Sequence, residues 1–435
     1  MDTLIKKDKY KLSRFLYIIE AMLEYFIAIG VGTVYLASLA KEIGVSDSLV
    51  AIITAFISLG ESFRIFAVLL ANNKPVKVWV TTMHVISQIF FALIWFVPLI
   101  KASKLIKTIL LIALLLIAYL LHNLCYPAKT NMYMSCVDEH KRGSFTATKE
   151  MVSLAGGMVF TIIYSNLIDH LTVSGKKTVA FILCGIILLF IMLGHTFSLV
   201  FVKEKVLDSE NADDSKSVSL MQTFKQILKD KSIFFIIALC AFYNIIYYSS
   251  VPFFSTYQIK ELGFSLPFVS IISSIGAGVR FICSKPVGKL ADNYSFNKSM
   301  TFCLCFLALS YLVMSFTTPT NGKYTYFIYV AFEGVSAAGI TSAILNFIYD
   351  YVSYENRTSA LALNGAISGL TGFLTTLAIT PLFNHIQSVQ QSGGRFLGLN
   401  IYAQQFLSVV ALVLTIVLIL YNVLVIGKIK RNADK

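Results

Sequence analysis

The chain has 435 residues, of which 57% are hydrophobic and 14% charged, against roughly a quarter charged in an average soluble domain. Because about 20 apolar residues cross a bilayer as one helix, this composition supplies roughly twelve spans. It excludes a soluble globular domain, a disordered chain and a disulfide-stapled secreted domain. The net charge of +13 must then lie in loops between spans, where cations set orientation, so we expect no nucleic-acid partner.

Apolar windows predict six spans before a polar stretch and six after it. The first six lie near 14–39, 47–70, 76–100, 105–128, 144–170 and 178–202, and the second six near 232–257, 265–288, 298–317, 325–349, 358–386 and 398–427. We therefore predict an all-α polytopic membrane protein, with twelve transmembrane helices in two pseudo-symmetric six-helix bundles. The domains are an N-terminal bundle over 1–202, a cytoplasmic linker loop over 203–231 and a C-terminal bundle over 232–435.

The distribution of Lys and Arg predicts the orientation of the chain. Of the 36 cations, 24 fall in alternate segments that include both tails and the central loop, nine in the other segments and three within spans. Because cytoplasmic loops carry the excess of Lys and Arg, we expect both termini to be cytoplasmic. Lys129 counts here among the inner loop cations. The composition, rich in Lys, Ile and Asn, indicates a low-GC bacterium and therefore its cytoplasmic (inner) membrane.

The two halves carry an internal repeat. The pattern Asn-x5-Val-x4-Arg-x-Ser occurs twice at an offset of 215, and Ser-x-Gly-x3-Arg twice at an offset of 216. These repeats pair Arg142 with Arg357 and Arg64 with Arg280. Parallel six-helix repeats related by an axis along the membrane normal build one large class of transporters.

The loop after span 8 carries a known signature. From Gly288 it reads Gly-Lys-Leu-Ala-Asp, ending at Asp292, and it resembles the loop Gly-x-Leu-Ala-Asp-Arg-x-Gly-Arg-Lys of the major facilitator superfamily. The first half has a degraded equivalent with Asn72 in place of the acid. The resemblance, which covers the whole chain, implies that these loops latch the cytoplasmic side. Gly288 would permit close helix packing, and Arg142 and Arg357 belong to the same gating regions.

No subfamily signature is complete. The chain lacks the embedded arginine of proton-coupled relatives in span 4, the Gly-Pro pair of drug/proton antiporters in span 5 and the Pro-Glu-Ser-Pro-Arg segment of sugar porters. Glu20 and Glu24 stand four apart in span 1, which only approximates the Glu-x-x-Glu-Arg motif of proton-coupled peptide carriers. These absences favour nutrient-type uptake over drug efflux.

Charged residues inside spans are candidates for binding sites, because an ionised group costs several kcal/mol at the bilayer centre. Glu24 and Glu333 are predicted to bind substrate or a proton. Glu61 and Arg64, three apart in span 2, can pair on one helix face. Arg280 has no acid at the matching position, so its partner would be an acid of another helix or an anionic group of a substrate.

Neutral polar residues form a further candidate surface. Tyr243, Asn244 and Tyr247 of span 7 share one helical face and could line a cavity as an aromatic and amide wall. Such a wall suits sugars, nucleosides, amino acids or planar organic compounds about equally. His84 and His122 could titrate near neutral pH, although a lone histidine in a helix is more often a hydrogen-bonded packing residue.

The sequence contains no constellation typical of an enzyme. It has no phosphate-binding Gly-x4-Gly-Lys loop, no His-Glu-x-x-His pair and no nucleophile elbow, so we expect no catalytic residue, no cofactor and no metal. We predict a monomeric secondary active transporter that moves a small organic solute across the lipid bilayer by alternating access, driven by the solute gradient or by a coupled proton. The alternatives are a drug or metabolite efflux antiporter and a non-transporting membrane sensor or scaffold on the same fold.

Overall fold

The computed structural model describes residues 9–66, 77–134, 136–137, 142–203, 229–351 and 357–429. Within these ranges the chain is helical and forms no β-strand longer than an isolated bridge. In chain order the α-helices are α1 (Lys11–Gly30), α2 (Thr33–Ile43), α3 (Asp47–Thr54), α4 (Phe56–Ser62), α5 (Lys77–Leu93), α6 (Lys104–Met134), α7 (Arg142–Val173), α8 (Lys177–Phe201), α9 (Lys231–Thr256), α10 (Leu266–Asn293), α11 (Phe296–Ser315), α12 (Gly322–Tyr351), α13 (Arg357–Gln391) and α14 (Ala403–Leu424).

The helices occupy the predicted spans. Eleven segments of the described chain are long and apolar enough to cross a membrane. The helix α12, of 30 residues, is about 45 Å long at 1.5 Å per residue and covers the remaining predicted span, 325–349. The all-α polytopic architecture is therefore confirmed.

Glycines shape the breaks between helices. The first predicted span is two helices, α1 and α2, because the chain turns at Gly32, whose amide donates to the carbonyl oxygen of Ile29 at 2.8 Å. The turns between α7 and α8 and between α9 and α10 contain Gly175 and Gly263 at φ +72° and +63°, a region that residues with a Cβ rarely adopt. The helical hairpins thus depend on glycine at these turns.

One compact unit comprises the described residues of 1–32 and 66–214. In it α1 packs against α7 and α8, and α5 packs against α6 and α8. The contact of α7 with α1 is close, because a Cβ added to Gly156 would lie 2.9 Å from the sulfur of Met22. Small residues at such contacts let membrane helices approach each other.

The other compact unit comprises the described residues of 33–65 and 215–435. Here α12 packs against α10 and α11, while α9 packs against α13 and α14. Asn422 of α14 donates from its amide to the carbonyl oxygen of Asn297 in α11 at 3.2 Å. Interhelical amide contacts of this kind join helices in an apolar environment.

The segment 33–65 belongs to this second unit although it precedes the predicted linker. Ser58 donates from its hydroxyl to the carbonyl oxygen of Gly369 at 2.7 Å, and Lys260 forms an ion pair with Asp47. Most of the predicted linker lies outside the described residues. The division of the chain into two six-helix bundles at that linker stays a prediction.

Candidate functional site

A group of charged and titratable side chains lies inside the first compact unit. We call it the buried charge cluster. It consists of Glu20 and Glu24 on α1, His84 on α5, His122 and Lys129 on α6, and His195 on α8.

Lys129 is the centre of the buried charge cluster. Its Nζ donates to Glu20 Oε1 at 2.7 Å and to Glu24 Oε2 at 2.6 Å. The side chains of Lys129 and Glu20 are 1% and 0% exposed, whereas that of Glu24 is 18% exposed. A lysine this deeply buried is rare unless it is paired, and here one ammonium bridges two carboxylates.

The three histidines extend the cluster on both sides. His195 Nε2 lies 2.7 Å from Glu20 Oε1 and 3.2 Å from His84 Nε2, and His122 Nε2 lies 3.4 Å from Glu24 Oε1. Together these contacts form a continuous chain of hydrogen-bonding groups from partly exposed Glu24 to fully buried His84. The cluster thus joins side chains of four helices, α1, α5, α6 and α8, inside one compact unit.

The charges of the cluster do not sum to zero while the histidines are neutral. Glu20 and Glu24 contribute two negative charges and Lys129 one positive charge, so one further proton makes the cluster neutral. Several buried atoms of the cluster, among them Glu20 Oε2, Glu24 Oε1 and His195 Nδ1, have no hydrogen-bond partner within the described residues, and each of these three can accept a proton. The cluster therefore keeps buried acceptor atoms that its own contacts do not use.

The same side chains could also surround a metal ion. The ligand atoms of Glu20, His84 and His195 lie within 4.8 Å of one another, as do those of Glu24, His84 and His122. Imidazole and carboxylate are ordinary ligands of zinc and other transition metals. The ammonium of Lys129 already bridges both carboxylates, so a metal ion would compete with its positive charge.

A second candidate site is a cavity of about 230 Å³ within the other compact unit. Glu333 of α12 is the one charged residue in its lining. The polar part of the lining includes Gln258 and Ser255, and the aromatic part Phe254 and Tyr329. The structure thus places Glu333, one of the two predicted cavity carboxylates, at a cavity.

Close packing of α10 against α12 positions the charges beside this cavity. A Cβ added to Gly334 would lie 2.6 Å from the carbonyl oxygen of Gly276 and 3.2 Å from the amide nitrogen of Arg280. The two backbones therefore touch next to Glu333, and the guanidinium of Arg280 acts electrostatically on its carboxylate. Arg280 and Glu333, predicted separately, belong to one region of this unit.

The predicted aromatic wall lies in the same region. Tyr243 is within electrostatic range of both Glu333 and Arg280, and its ring centroid lies 6.4 Å from that of Tyr247. Asn244 differs, because its amide donates to the carbonyl oxygen of Cys240 in its own helix at 3.1 Å. The tyrosines are thus grouped with the charged pair, whereas the Asn244 amide makes a hydrogen bond within its helix.

The remaining site predictions have different outcomes. Arg64 Nη2 lies 3.2 Å from Glu61 Oε1, so the predicted pair forms, with both side chains about one-third exposed. Gly288 is exposed, and no atom of the described residues would lie within 4 Å of its Cβ. The close helix packing expected at Gly288 is therefore not found in this part of the chain. Asn72 and the side chains of Asp292, Arg142 and Arg357 lie outside the described residues.

Sequence reasoning misses two members of the cluster. The apolar pattern puts Lys129 in a cytoplasmic loop, but α6 continues to Met134 and holds Lys129 at 1% exposure, so it belongs to the bundle interior and not to the inner loop cations. His195 is not singled out by any motif. The available signals are the spacing of seven residues between His122 and Lys129, which puts both on one helix face, and a single histidine within a very apolar span.

An all-helical multi-pass chain that keeps charged side chains inside its spans has the architecture of a membrane transport protein. The chain belongs to the Major Facilitator Superfamily, whose family model matches residues 16–376. It is therefore an integral multi-pass membrane transporter and not an enzyme. No curated protein matches its sequence.

Solved structures of transporters share the fold. The chain is similar to a point mutant of the nucleoside transporter NupG, with a TM-score of 0.71 at 12% identity over 95% of this chain and 99% of that chain. It is also similar to a bacterial homologue of the human lysosomal transporter Spinster, in an inward-facing and unoccupied conformation, with a TM-score of 0.69 at 13% identity over 96% and 97% of the two chains. A POT family transporter in complex with a thioalcohol-conjugated peptide has a TM-score of 0.68 at 11% identity over 94% and 95%. At these identities the similarity concerns the fold alone.

Proposed function

We propose that the protein is a proton-coupled secondary active transporter that takes up a small organic solute by alternating access. The observation that carries this proposal is the bridging contact of Lys129 with Glu20 and Glu24 inside the buried charge cluster. The cluster is one proton short of neutrality while its histidines are neutral. Transport and membership of the superfamily rest on the family match. Proton coupling and uptake as the direction of transport are what we propose in addition.

The physical basis is the cost of a net charge in an apolar bundle. A buried charge without compensation costs several kcal/mol, so the protonated, neutral cluster is favoured whenever the bundle moves with the site closed to water. Glu24 is partly exposed and gives the cluster contact with solvent, whereas Glu20 and His84 are fully buried. A proton that enters at Glu24 can thus be held deeper in the bundle.

The solute site belongs to the second compact unit in this proposal. The cavity beside Glu333 combines one carboxylate with hydroxyl, amide and aromatic groups, a composition typical of small-molecule sites. Tyr243 and Tyr247 are half-buried near the same carboxylate. We infer that these groups bind the solute, while the Glu61–Arg64 pair stabilises the adjoining helix.

The membrane context completes the proposal. We infer a monomer in the cytoplasmic membrane of a bacterium with both termini in the cytoplasm, since most Lys and Arg residues fall in the segments assigned to that side. The linker 203–231 would join two six-helix bundles. The loop at Gly288 and Asp292, with Asn72, Arg142 and Arg357, would close the cytoplasmic side, as the family signature implies.

The test is transport by the purified protein in liposomes. A ligand is first found by the rise in melting temperature with sugars, nucleosides, amino acids, short peptides and organic acids, since a ligand at 100 times its Kd adds about 2.7 kcal/mol of stability. Uptake of the labelled ligand is then measured under an imposed pH gradient and as exchange at equal pH. We expect Glu24→Gln to abolish uphill uptake and to spare exchange.

A matched control is Glu150→Gln on α7, because Glu150 is exposed and belongs to neither site. It should leave both modes unchanged. Equal loss of uphill uptake and exchange in Glu24→Gln would assign Glu24 to solute binding, and undiminished uphill uptake would remove it from proton coupling.

A further inference from the structure

Two opposite charges in the second compact unit are close enough to interact but do not form an ion pair. The guanidinium of Arg280 and the carboxylate of Glu333 act on each other and on Tyr243. Within the described residues neither side chain forms a hydrogen bond or an ion pair, in contrast to Arg64, which contacts Glu61 at 3.2 Å. Both side chains are half-buried, Arg280 in a helix long and apolar enough to cross a membrane and Glu333 in the 30-residue helix α12.

This arrangement favours a ligand with two charges. An ionised side chain in a span loses hydration, and a complementary charge with hydrogen bonds offsets that loss. A ligand that carries only a carboxylate would be repelled by Glu333, and one that carries only an ammonium would leave Arg280 without a partner. A neutral ligand would leave both charges without a charged hydrogen-bond partner.

The cavity limits the size and the nature of the ligand. Its volume of about 230 Å³ lies below the range typical of drug-sized sites. Apolar side chains form part of its lining, namely Val34, Val251, Phe254, Ile272 and Val330. The cavity therefore suits a small ligand with an apolar part beside its polar groups.

The backbone geometry lets one ligand reach both charges. Gly276 lines the cavity, and Arg280 lies one helical turn further along α10, on the same face. Because Gly276 and Gly334 have no side chains, the helices touch there and Glu333 lies beside α10. Glu333 therefore lines the cavity, and Arg280 belongs to the turn of α10 that follows the lining residues Gly276 and Ala277.

We propose that the transported solute is a small zwitterion with an apolar side chain, of the amino-acid type. Its ammonium binds the carboxylate of Glu333 and its carboxylate binds the guanidinium of Arg280. The inference rests on the proposed transport function and adds the chemical class of the solute.

The test compares three matched compounds in each of two series on the purified full-length protein. In the first series the side chain is the same throughout: leucine carries both charges, 3-methylbutylamine only the ammonium and 4-methylpentanoic acid only the carboxylate. Phenylalanine, phenethylamine and 3-phenylpropanoic acid form the second series in the same order. Dissociation constants are obtained from melting temperatures at increasing concentrations. We expect at least one zwitterion to bind about 10-fold or more tightly than both of its relatives, because each charged hydrogen bond contributes about 1.5–3 kcal/mol.

Variants assign the two charges. Glu333→Gln should reduce the affinity for the zwitterion and the amine but not for the acid, and Arg280→Gln should reduce it for the zwitterion and the acid but not for the amine. Arg280→Lys keeps the charge and should bind the zwitterion within a few-fold of the wild type, which controls for a folding defect of Arg280→Gln. Glu150→Gln should leave all six constants unchanged.

The proposal is overturned if an amine or an acid binds as tightly as its zwitterion, or if neither zwitterion binds. Uptake of labelled zwitterion into liposomes separates this inference from the proposed function. Binding of a zwitterion without uptake would contradict the transport function but support the ligand class. Uptake of a sugar or a nucleoside, with no binding of zwitterions, would support transport but contradict the ligand class.

Discussion

Removal of the ammonium from the buried charge cluster should destabilise the protein in a pH-dependent way. In Lys129→Gln, Glu20 at 0% and Glu24 at 18% exposure lose their shared cation, and a neutral amide takes its place. Breaking a buried ion pair from one side costs about 3–5 kcal/mol. At about 2–4 °C per kcal/mol for a domain of 150–250 residues, the melting temperature at pH 7 should fall by roughly 6–20 °C.

The sign of the pH dependence follows from proton binding. The folded variant gains stability by binding protons at the uncompensated carboxylates, whereas the unfolded chain keeps these groups in water. The folded state therefore binds more protons than the unfolded state, and the loss of stability should shrink as the pH falls. The double variant Lys129→Gln with Glu20→Gln, which removes one negative charge as well, should recover part of the loss at pH 7.

The assay is thermal unfolding of the purified protein in detergent between pH 5 and pH 8. Lys104→Gln is the matched control, because Lys104 begins the same helix and is exposed, and its effect should stay within about 0.5 kcal/mol. The bridging role of Lys129 would be refuted if Lys129→Gln had the same melting temperature as the wild type at pH 7. It would also be refuted if the difference in melting temperature grew as the pH falls.

Three further predictions concern single contacts. Gly334→Ala should lower the melting temperature strongly, because its Cβ would lie 2.6 Å from a backbone oxygen, whereas Gly278→Ala, with open space around its Cβ, should not; equal effects would contradict the close contact of α10 and α12. Asp47→Asn removes the charge that pairs with Lys260, and because the Asp47 side chain is only 9% exposed and also accepts a hydrogen bond from Gln387, the loss in thermal unfolding should be about 1–3 kcal/mol; an unchanged melting temperature would contradict a stabilising role of these contacts. His195→Gln should slow uptake driven by a pH gradient without changing the Kd for the solute, and unchanged uptake would remove His195 from the proton path.

The spans and the family were predictable because the bilayer acts on the sequence directly. A run of about 20 apolar residues is needed for each crossing, so twelve runs of this kind determine the architecture without any knowledge of packing. The signature from Gly288 to Asp292 and the repeated arginines were likewise readable as linear patterns. The break of span 1 at Gly32 was not predictable, because a single glycine in the sequence does not decide between a kink and a continuous helix.

The sequence by itself determined that this protein crosses the membrane many times, that it belongs to a transporter family, and that Glu24, Glu333 and Arg280 are embedded charges. Only the tertiary structure decided which side chains meet. Glu20, Lys129 and His195 come from three helices, and their contact depends on how α1, α6 and α8 are rotated and packed. The rotation of a helix about its axis depends on its neighbours, since apolar spans offer a weak amphipathic pattern to indicate the inner face. For that reason a lysine at the end of an apolar run could be placed in a loop from the sequence and yet lie at the centre of the buried charge cluster.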